Sequence, residues 1–230
     1  MKKNILVIGG SQGIGFSLIN LLKNDYNLFV VSRTVQQLST DDITHIQFDV
    51  LNEDLETELL PESLDGFVYC PGSINLKPFK MMSLDTIEKD MQINFFAMVR
   101  LLKGVFSKLS NGSSLVFFST VAVVSGMPYH TSVAAAKGAL EGFVKSFAAE
   151  HAPKIRANVI APSLVDTPLS SRLLSSDKKR AQVAERHPLK KIGSPNDIAA
   201  MAKFLLGEES KWITGQVIGV DGGLSTLNIN

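Results

Sequence analysis

Gly9-Gly10-Ser11-Gln12-Gly13-Ile14-Gly15 stands between an apolar run, Ile5 to Ile8, and a stretch with apolar residues at helical spacing, Ile14, Leu18, Leu21 and Leu22. The run before it reads as a buried strand and the stretch after it as a helix, so the glycines form a tight strand-to-helix turn. Gly9 allows backbone angles denied to other residues. Gly13 lets the main chain approach a bound group closely, and Gly15 lets helix and strand pack together. The first N–H groups of the helix have no partner inside it, and the aligned peptide dipoles place partial positive charge there. Such a turn suits a pyrophosphate, with Gly9, Ser11, Gln12, Gly13, Ile14 and Gly15 as the contacting residues. A glycine string alone is weak evidence, but the strand before and the helix after are what the motif requires.

Outward from this turn, apolar runs alternate with helical stretches to the end of the chain. Leu28–Val31, Thr44–Phe48, Phe67–Cys70, Leu115–Phe118, Ile155–Ile160 and Gln216–Val220 read as further strands, the last closed by Asp221-Gly222-Gly223. Leu84–Leu109 reads as one long helix and Ser132–His151 as another. Alternation of this kind predicts a mostly parallel sheet covered by helices on both faces. With 230 residues, no internal repeat and no linker, residues 1–230 read as a single α/β domain. Pro168–His187 differs: it is polar, carries Lys178, Lys179 and Arg180 in a row, and reads either as a solvated surface helix or as a substrate lid over about 168–190.

Composition narrows the classes of function. Net charge is +1 with no basic stripe, so neither nucleic acid nor an acidic membrane surface is expected as a partner. The one cysteine, Cys70, makes an internal disulfide impossible and a cysteine-based metal site implausible; no metal is expected, and Cys70 reads as a small buried apolar group. The apolar run after Met1-Lys2-Lys3-Asn4 is too short for a secretory segment or a membrane span. A cytoplasmic protein with a small-molecule substrate is the expectation.

The glycine spacing Gly-x-x-x-Gly-x-Gly resembles that of the short-chain dehydrogenase/reductase family, and the resemblance runs over essentially the whole chain. Asp49 and Val50 are similar to the segment that contacts the adenine. Asn94 matches a structural and catalytic asparagine. Arg156-Ala157-Asn158, Pro162 and Asp166-Thr167-Pro168 resemble the segment where a threonine meets the nicotinamide carboxamide, and the close from Trp212 to Gly223 is also of this type. The resemblance implies a single Rossmann-type doubly wound parallel sheet of seven strands, in the order 3-2-1-4-5-6-7, and an oxidoreductase that moves hydride to or from a carbonyl, alcohol or enoyl substrate. Gly72 stands where the backbone approaches the adenine ribose, although Tyr69-Cys70-Pro71-Gly72 replaces the family's Asn-Asn-Ala-Gly. Pro162-Ser163 replaces its Pro-Gly.

A free ribose 2′-hydroxyl is usually held by a carboxylate about 20 residues past the glycines. Ser32-Arg33-Thr34 stands there instead. Arg33 can pair with a 2′-phosphate that an aspartate would repel, which favours NADP(H) over NAD(H).

The family's chemistry rests on a serine and on a Tyr-x-x-x-Lys pair along one helix face. The lysine position is kept as Lys137, the serine position is filled by Thr120, and Val133 stands where the tyrosine is expected. Valine has no proton to give. Three readings compete. In the first, another group supplies the proton: Tyr129, four residues earlier, with His130 beside it. In the second, Thr120, water and Lys137 carry protons slowly. In the third, the protein binds NADP(H) without turnover, as a sensor, scaffold or partner subunit. Lys137 could serve only to bind the cofactor ribose, and Asn94 only to tie a kink in its helix. Thr120 to Tyr129, Ser163 to Val165 and the polar insertion are expected to wall the substrate pocket. Small residues at the start of Ser132–His151 (Ala134, Ala135, Ala136, Gly138, Ala139) suit close approach of a second copy, so helices 84–109 and 132–151 are expected to build a homodimer or homotetramer.

Overall fold

The computed structural model of the chain describes residues 2–36, 38–39, 42–52 and 55–228. Strands β1 (Asn4–Ile8), β2 (Asn27–Ser32), β3 (Ile43–Gln47), β4 (Leu64–Tyr69), β5 (Leu109–Phe118), β6 (Ile155–Pro162) and β7 (Val217–Val220) form one sheet in the order β3-β2-β1-β4-β5-β6-β7. Every pairing is parallel. The expected doubly wound architecture and strand order are both observed. After β3 the chain crosses to the far side of β1, so β1 and β4 lead their following segments apart and leave a crevice at their carboxyl ends.

Strand side chains alternate between two apolar layers. Leu6, Ile8, Phe67, Tyr69, Leu115 and Phe117 face one layer, against Met98, Leu101 and Leu102 of α3 (Ala97–Val105) and Leu140 and Val144 of α5 (Thr131–His151). Ile5, Val7, Val30, Val68, Val116 and Ile160 face the other, against Leu18 and Leu22 of α1 (Gly13–Leu22) and Ile198 and Leu205 of α7 (Pro195–Leu206). The sequence reading omitted α7, although its start is signalled locally. Ser194 caps it, Asp197 completes the capping box and Pro195 occupies its first turn.

The expected single helix over 84–109 is corrected. It consists of α2 (Leu84–Met91), one π-helical turn (Gln92–Phe96), α3 and a final 3-10 turn (Phe106–Lys108), while Leu109 already belongs to β5. Asn94 sits inside the π turn, and its side-chain Nδ2 donates to the Asp90 carbonyl at 2.8 Å. At the end of the turn the Ala97 N–H bonds the Gln92 carbonyl, five residues back, instead of the Ile93 carbonyl. Tyr69 donates its buried hydroxyl to that released Ile93 oxygen at 2.6 Å. The tyrosine that replaces a family asparagine thus braces the same helix from β4.

The polar segment begins with a 3-10 turn (Pro168–Ser170) and continues into α6 (Asp177–Arg186), none of whose residues is buried. Arg180 anchors it by two contacts to the Asp166 carboxylate, at 2.6 and 3.1 Å. The short α4 (Ala122–Ser125) lies in the connection from β5 to α5.

Candidate functional site

Two hollows lie at the carboxyl ends of the strands. The first, about 200 Å³, is lined by the glycine turn and by Ser32, Arg33, Asp49, Val50 and Gly72. The second, about 340 Å³, is lined by Asn94, Thr120, Val133, Lys137, Ser163 and His187, with an apolar wall from Ile74, Leu76, Leu164 and Leu173. Ile14, Cys70, Gly72, Thr167 and Leu169 line both, so the hollows adjoin.

The turn has the geometry of an anion cradle. Gly9 has φ +82°, which favours glycine. A Cβ on Gly15 would stand 2.3 Å from the Gly9 carbonyl oxygen, so only glycine lets α1 start this close to β1. Gln12, at the N-cap of α1, makes no side-chain cap bond, and the first turn carries no acid. The free N–H groups therefore remain available to an anion.

Arg33 lies exposed just past β2, at the rim of the first hollow, and forms no ion pair among the described residues. Asp49 follows β3; its carboxylate accepts from the Leu51 N–H and from Asn52 Nδ2, each at 3.0 Å. The Val50 carbonyl accepts from Arg100 at 2.7 Å. Ser32 donates its hydroxyl to the Thr34 carbonyl at 2.8 Å. Thr167 stands at the junction of the hollows, its N–H bonded to Ser170 Oγ at 3.0 Å. This lining fits a dinucleotide.

In the second hollow, α5 carries Val133 and Lys137 on one face, one turn apart, both buried. Burial brings the Lys137 ammonium down to about 8, an effect the negative charge of Asp90 opposes. A Cβ on Gly72 would lie 3.5 Å from Lys137 Nζ and 3.0 Å from Asn94 Oδ1, so the bare backbone at Gly72 leaves room for both. Burial also pushes the Cys70 thiol up to about 12, which keeps it protonated and inert.

The sequence reading missed the polar support beneath these groups. Asp90, fully buried, accepts from Ser73 Oγ, from Asn75 Nδ2 at 2.7 Å and from Ser132 Oγ at 2.5 Å. Asn94 Nδ2 donates to Ser73 Oγ at 2.8 Å, joining the π turn to the same network. Behind Thr120, Ser119 donates to the buried Glu141 carboxylate at 2.5 Å. No local pattern marks Asp90 or Glu141 as buried; both appear as ordinary acids within helical sequence.

Tyr129 is a correction. It lies 56 % exposed, with φ +72°, outside the lining of either hollow. The left-handed backbone at this position turns the loop before α5, and the phenol is not brought into the site. His130 does line the second hollow; its Nδ1 bonds the Pro128 carbonyl at 2.8 Å. Among the described residues, no cluster of His, Cys, Asp and Glu could hold a metal ion, and no helix is long and apolar enough to cross a membrane.

A glycine cradle at the reversal of strand order, open to an apolar hollow with a buried lysine, defines a doubly wound dinucleotide-binding protein with the layout of an oxidoreductase. Residues 31–225 match the family model described as enoyl-(acyl carrier protein) reductase. The chain is 30 % identical over 208 residues to 3-oxoacyl-(acyl-carrier-protein) reductase FabG of Thermotoga maritima, covering 90 % of this chain and 75 % of the relative. It superposes with TM-score 0.90 on a short chain dehydrogenase family protein of Francisella tularensis, at 27 % identity and over 99 % of this chain and 100 % of that one. A structure of ElxO with NADP bound matches with TM-score 0.88 at 27 % identity, over 99 % and 100 % of the two chains. The chain belongs to the short-chain dehydrogenase/reductase family.

Proposed function

We propose that this chain is an NADP(H)-dependent oxidoreductase acting on a carbonyl, alcohol or enoyl carbon of a small, largely apolar substrate. The observation that carries the reading is that the two hollows adjoin at Ile14, Gly72 and Thr167, with Lys137 Nζ beside Gly72. When bound, the nicotinamide nucleotide supplies or accepts the hydride. The cradle residues Gly9, Ser11, Gln12, Gly13, Ile14 and Gly15 hold its pyrophosphate. Arg33 and Ser32 meet the 2′-phosphate, Asp49 and Val50 the adenine, and Thr167 the carboxamide end. Lys137 bonds the ribose and Thr120 polarises the substrate oxygen, while Asn94 holds the π turn against Ser73. The NADP bound to the ElxO relative supports this choice of nucleotide.

The segment about 168–190 closes over the second hollow as a lid, since Leu173, Val183 and Arg186 line it from outside the sheet. Two copies pair through the helical segments about 84–109 and 132–151, along which ring contacts run from Phe95 of the π turn through Phe143 and Phe147 to His151. A cytoplasmic location suits a chain with a single thiol.

Calorimetric titration with NADPH and NADH tests the reading, together with nucleotide consumption over a panel of ketones, alcohols and enoyl thioesters. Tight NADPH binding with turnover of at least one class supports it. Absence of binding to either nucleotide overturns it.

A further inference from the structure

The second hollow contains a hydroxyl–imidazole pair with no part in the roles assigned so far. Ser163 directly follows β6, and its Oγ lies 2.7 Å from Nε2 of His187, a residue only 3 % exposed. The other ring nitrogen, Nδ1, lies 2.8 Å from the Val183 carbonyl oxygen, one turn back along α6. A carbonyl can only accept, so Nδ1 carries a proton, and in the neutral ring Nε2 is the acceptor. The Ser163 hydroxyl therefore donates to the imidazole; the Asp221 carbonyl is a second, longer contact at 3.5 Å.

Strand geometry puts this pair beside the reaction centre. The Ser119 N–H bonds the Ile160 carbonyl at 2.7 Å and the Val121 N–H bonds the Pro162 carbonyl at 3.1 Å. These bonds carry the Thr120 segment alongside the end of β6, where Ser163 follows Pro162, and both Thr120 and Ser163 line the hollow with Val133 and Lys137. Val133 cannot exchange a proton, and Tyr129 lies outside. A hydroxyl backed by a nitrogen acceptor is the arrangement that lets an alcohol group of a side chain take up or release a proton at neutral pH.

We propose that Ser163, with His187 behind it, is the proton-transfer group of this site, an inference that rests on the oxidoreductase reading above. In alcohol oxidation the substrate hydroxyl gives its proton to Ser163 Oγ as the serine proton moves to His187 Nε2. The carbinol C–H bond breaks, its electron pair leaving as hydride for the oxidised nicotinamide nucleotide, and the C–O bond becomes a carbonyl. The imidazolium then returns its extra proton to water. Carbonyl reduction is the reverse, starting from the protonated ring and taking one proton from solvent per turnover. Among the described residues, the Asp221 carboxylate, in the loop after β7, interacts electrostatically with the ring, and Arg186, the ring's chain neighbour on α6, lines the same hollow. Ser163 would be the catalytic residue and His187 a positioning and relay residue.

The test compares wild type with Ser163→Ala, Ser163→Thr and His187→Gln. Long-range proton–nitrogen NMR of the nucleotide-free protein reads the His187 tautomer, and calorimetry reads NADPH affinity. Turnover is followed with ethyl acetoacetate and cyclohexanone as ketones and with ethyl 3-hydroxybutyrate and cyclohexanol as alcohols. The expected result is an Nδ1–H tautomer whose Nε2 signal moves in Ser163→Ala. Loss of a positioned acid–base costs roughly 10²–10⁴-fold. A fall in kcat of about that size is expected for Ser163→Ala and His187→Gln, with KM and NADPH affinity within about threefold, and most of the rate kept by Ser163→Thr. A merely structural strap between α6 and β6 would alter KM and stability but not kcat selectively. The inference is overturned by kcat in Ser163→Ala within about threefold of wild type, by a ring proton on Nε2, or by wild type that binds NADPH yet turns over none of the four probes. Failure of wild type to bind NADPH overturns the oxidoreductase reading itself.

Discussion

Replacing Lys137 by methionine should stabilise the protein at neutral pH while weakening nucleotide binding. Lys137 is 7 % exposed, and burial lowers its ammonium from 10.5 to about 8. Each unit of difference between folded and unfolded chain corresponds to about 1.4 kcal/mol, so holding this charge inside the fold costs on the order of 3 kcal/mol as an upper bound. Methionine has nearly the shape of the lysine stem and no charge to desolvate. The sign follows from proton counting. Between pH 8 and 10.5 the unfolded chain holds a proton on this group that the folded chain has released, so stability rises with pH through that window. Below pH 8 both states are protonated and the full cost is present. Urea denaturation at pH 7 should therefore show Lys137→Met more stable by about 1–3 kcal/mol, a shift of several °C in Tm for a chain of this size. The gap to wild type should narrow as pH approaches 10. A methionine variant less stable than wild type at pH 7, or one with an unchanged gap at pH 10, would refute the claim that this lysine is kept at the expense of stability.

Arg33→Ala should weaken NADPH binding by about tenfold or more, as loss of a charge-assisted bond would, and leave NADH affinity nearly unchanged; fluorescence titration at low and high salt reads both. Asp90→Leu leaves the hydroxyls of Ser73 and Ser132 and the Asn75 amide without their acceptor, so calorimetric unfolding should show a loss of about 3 kcal/mol or more. A Cβ on Gly142, exposed on α5, would meet nothing within 4 Å in the monomer. Gly142→Arg should accordingly leave the monomer at least as stable, glycine being a poor helix residue by about 1 kcal/mol, yet should halve the mass seen by sedimentation velocity.

The sheet was readable in the sequence because its signals are local. Most strands contain a short apolar run near turn residues, and the glycine turn announces both its neighbours. The break at Gln92–Phe96 was not readable, since it depends on an asparagine reaching back one turn and on Tyr69 arriving from another strand to take the released carbonyl. The buried acids Asp90 and Glu141 were hidden for the same reason: what makes them buried is contributed by residues 15 to 42 positions away.

By itself the sequence determined the doubly wound sheet, the nucleotide turn, the arginine where an acid is usual and the valine where a tyrosine is usual. The parallel sheet and the glycine turn follow from residue type and spacing, whereas the strand order and the place of the missing tyrosine are what the family resemblance implies. Tertiary structure alone decided that Tyr129 stays outside, that Lys137 lies buried beside Gly72, and that Ser163 meets His187 across 24 residues of chain. Proton-carrying chemistry depends on distances between side chains on different elements, and such distances exist only once the elements are packed.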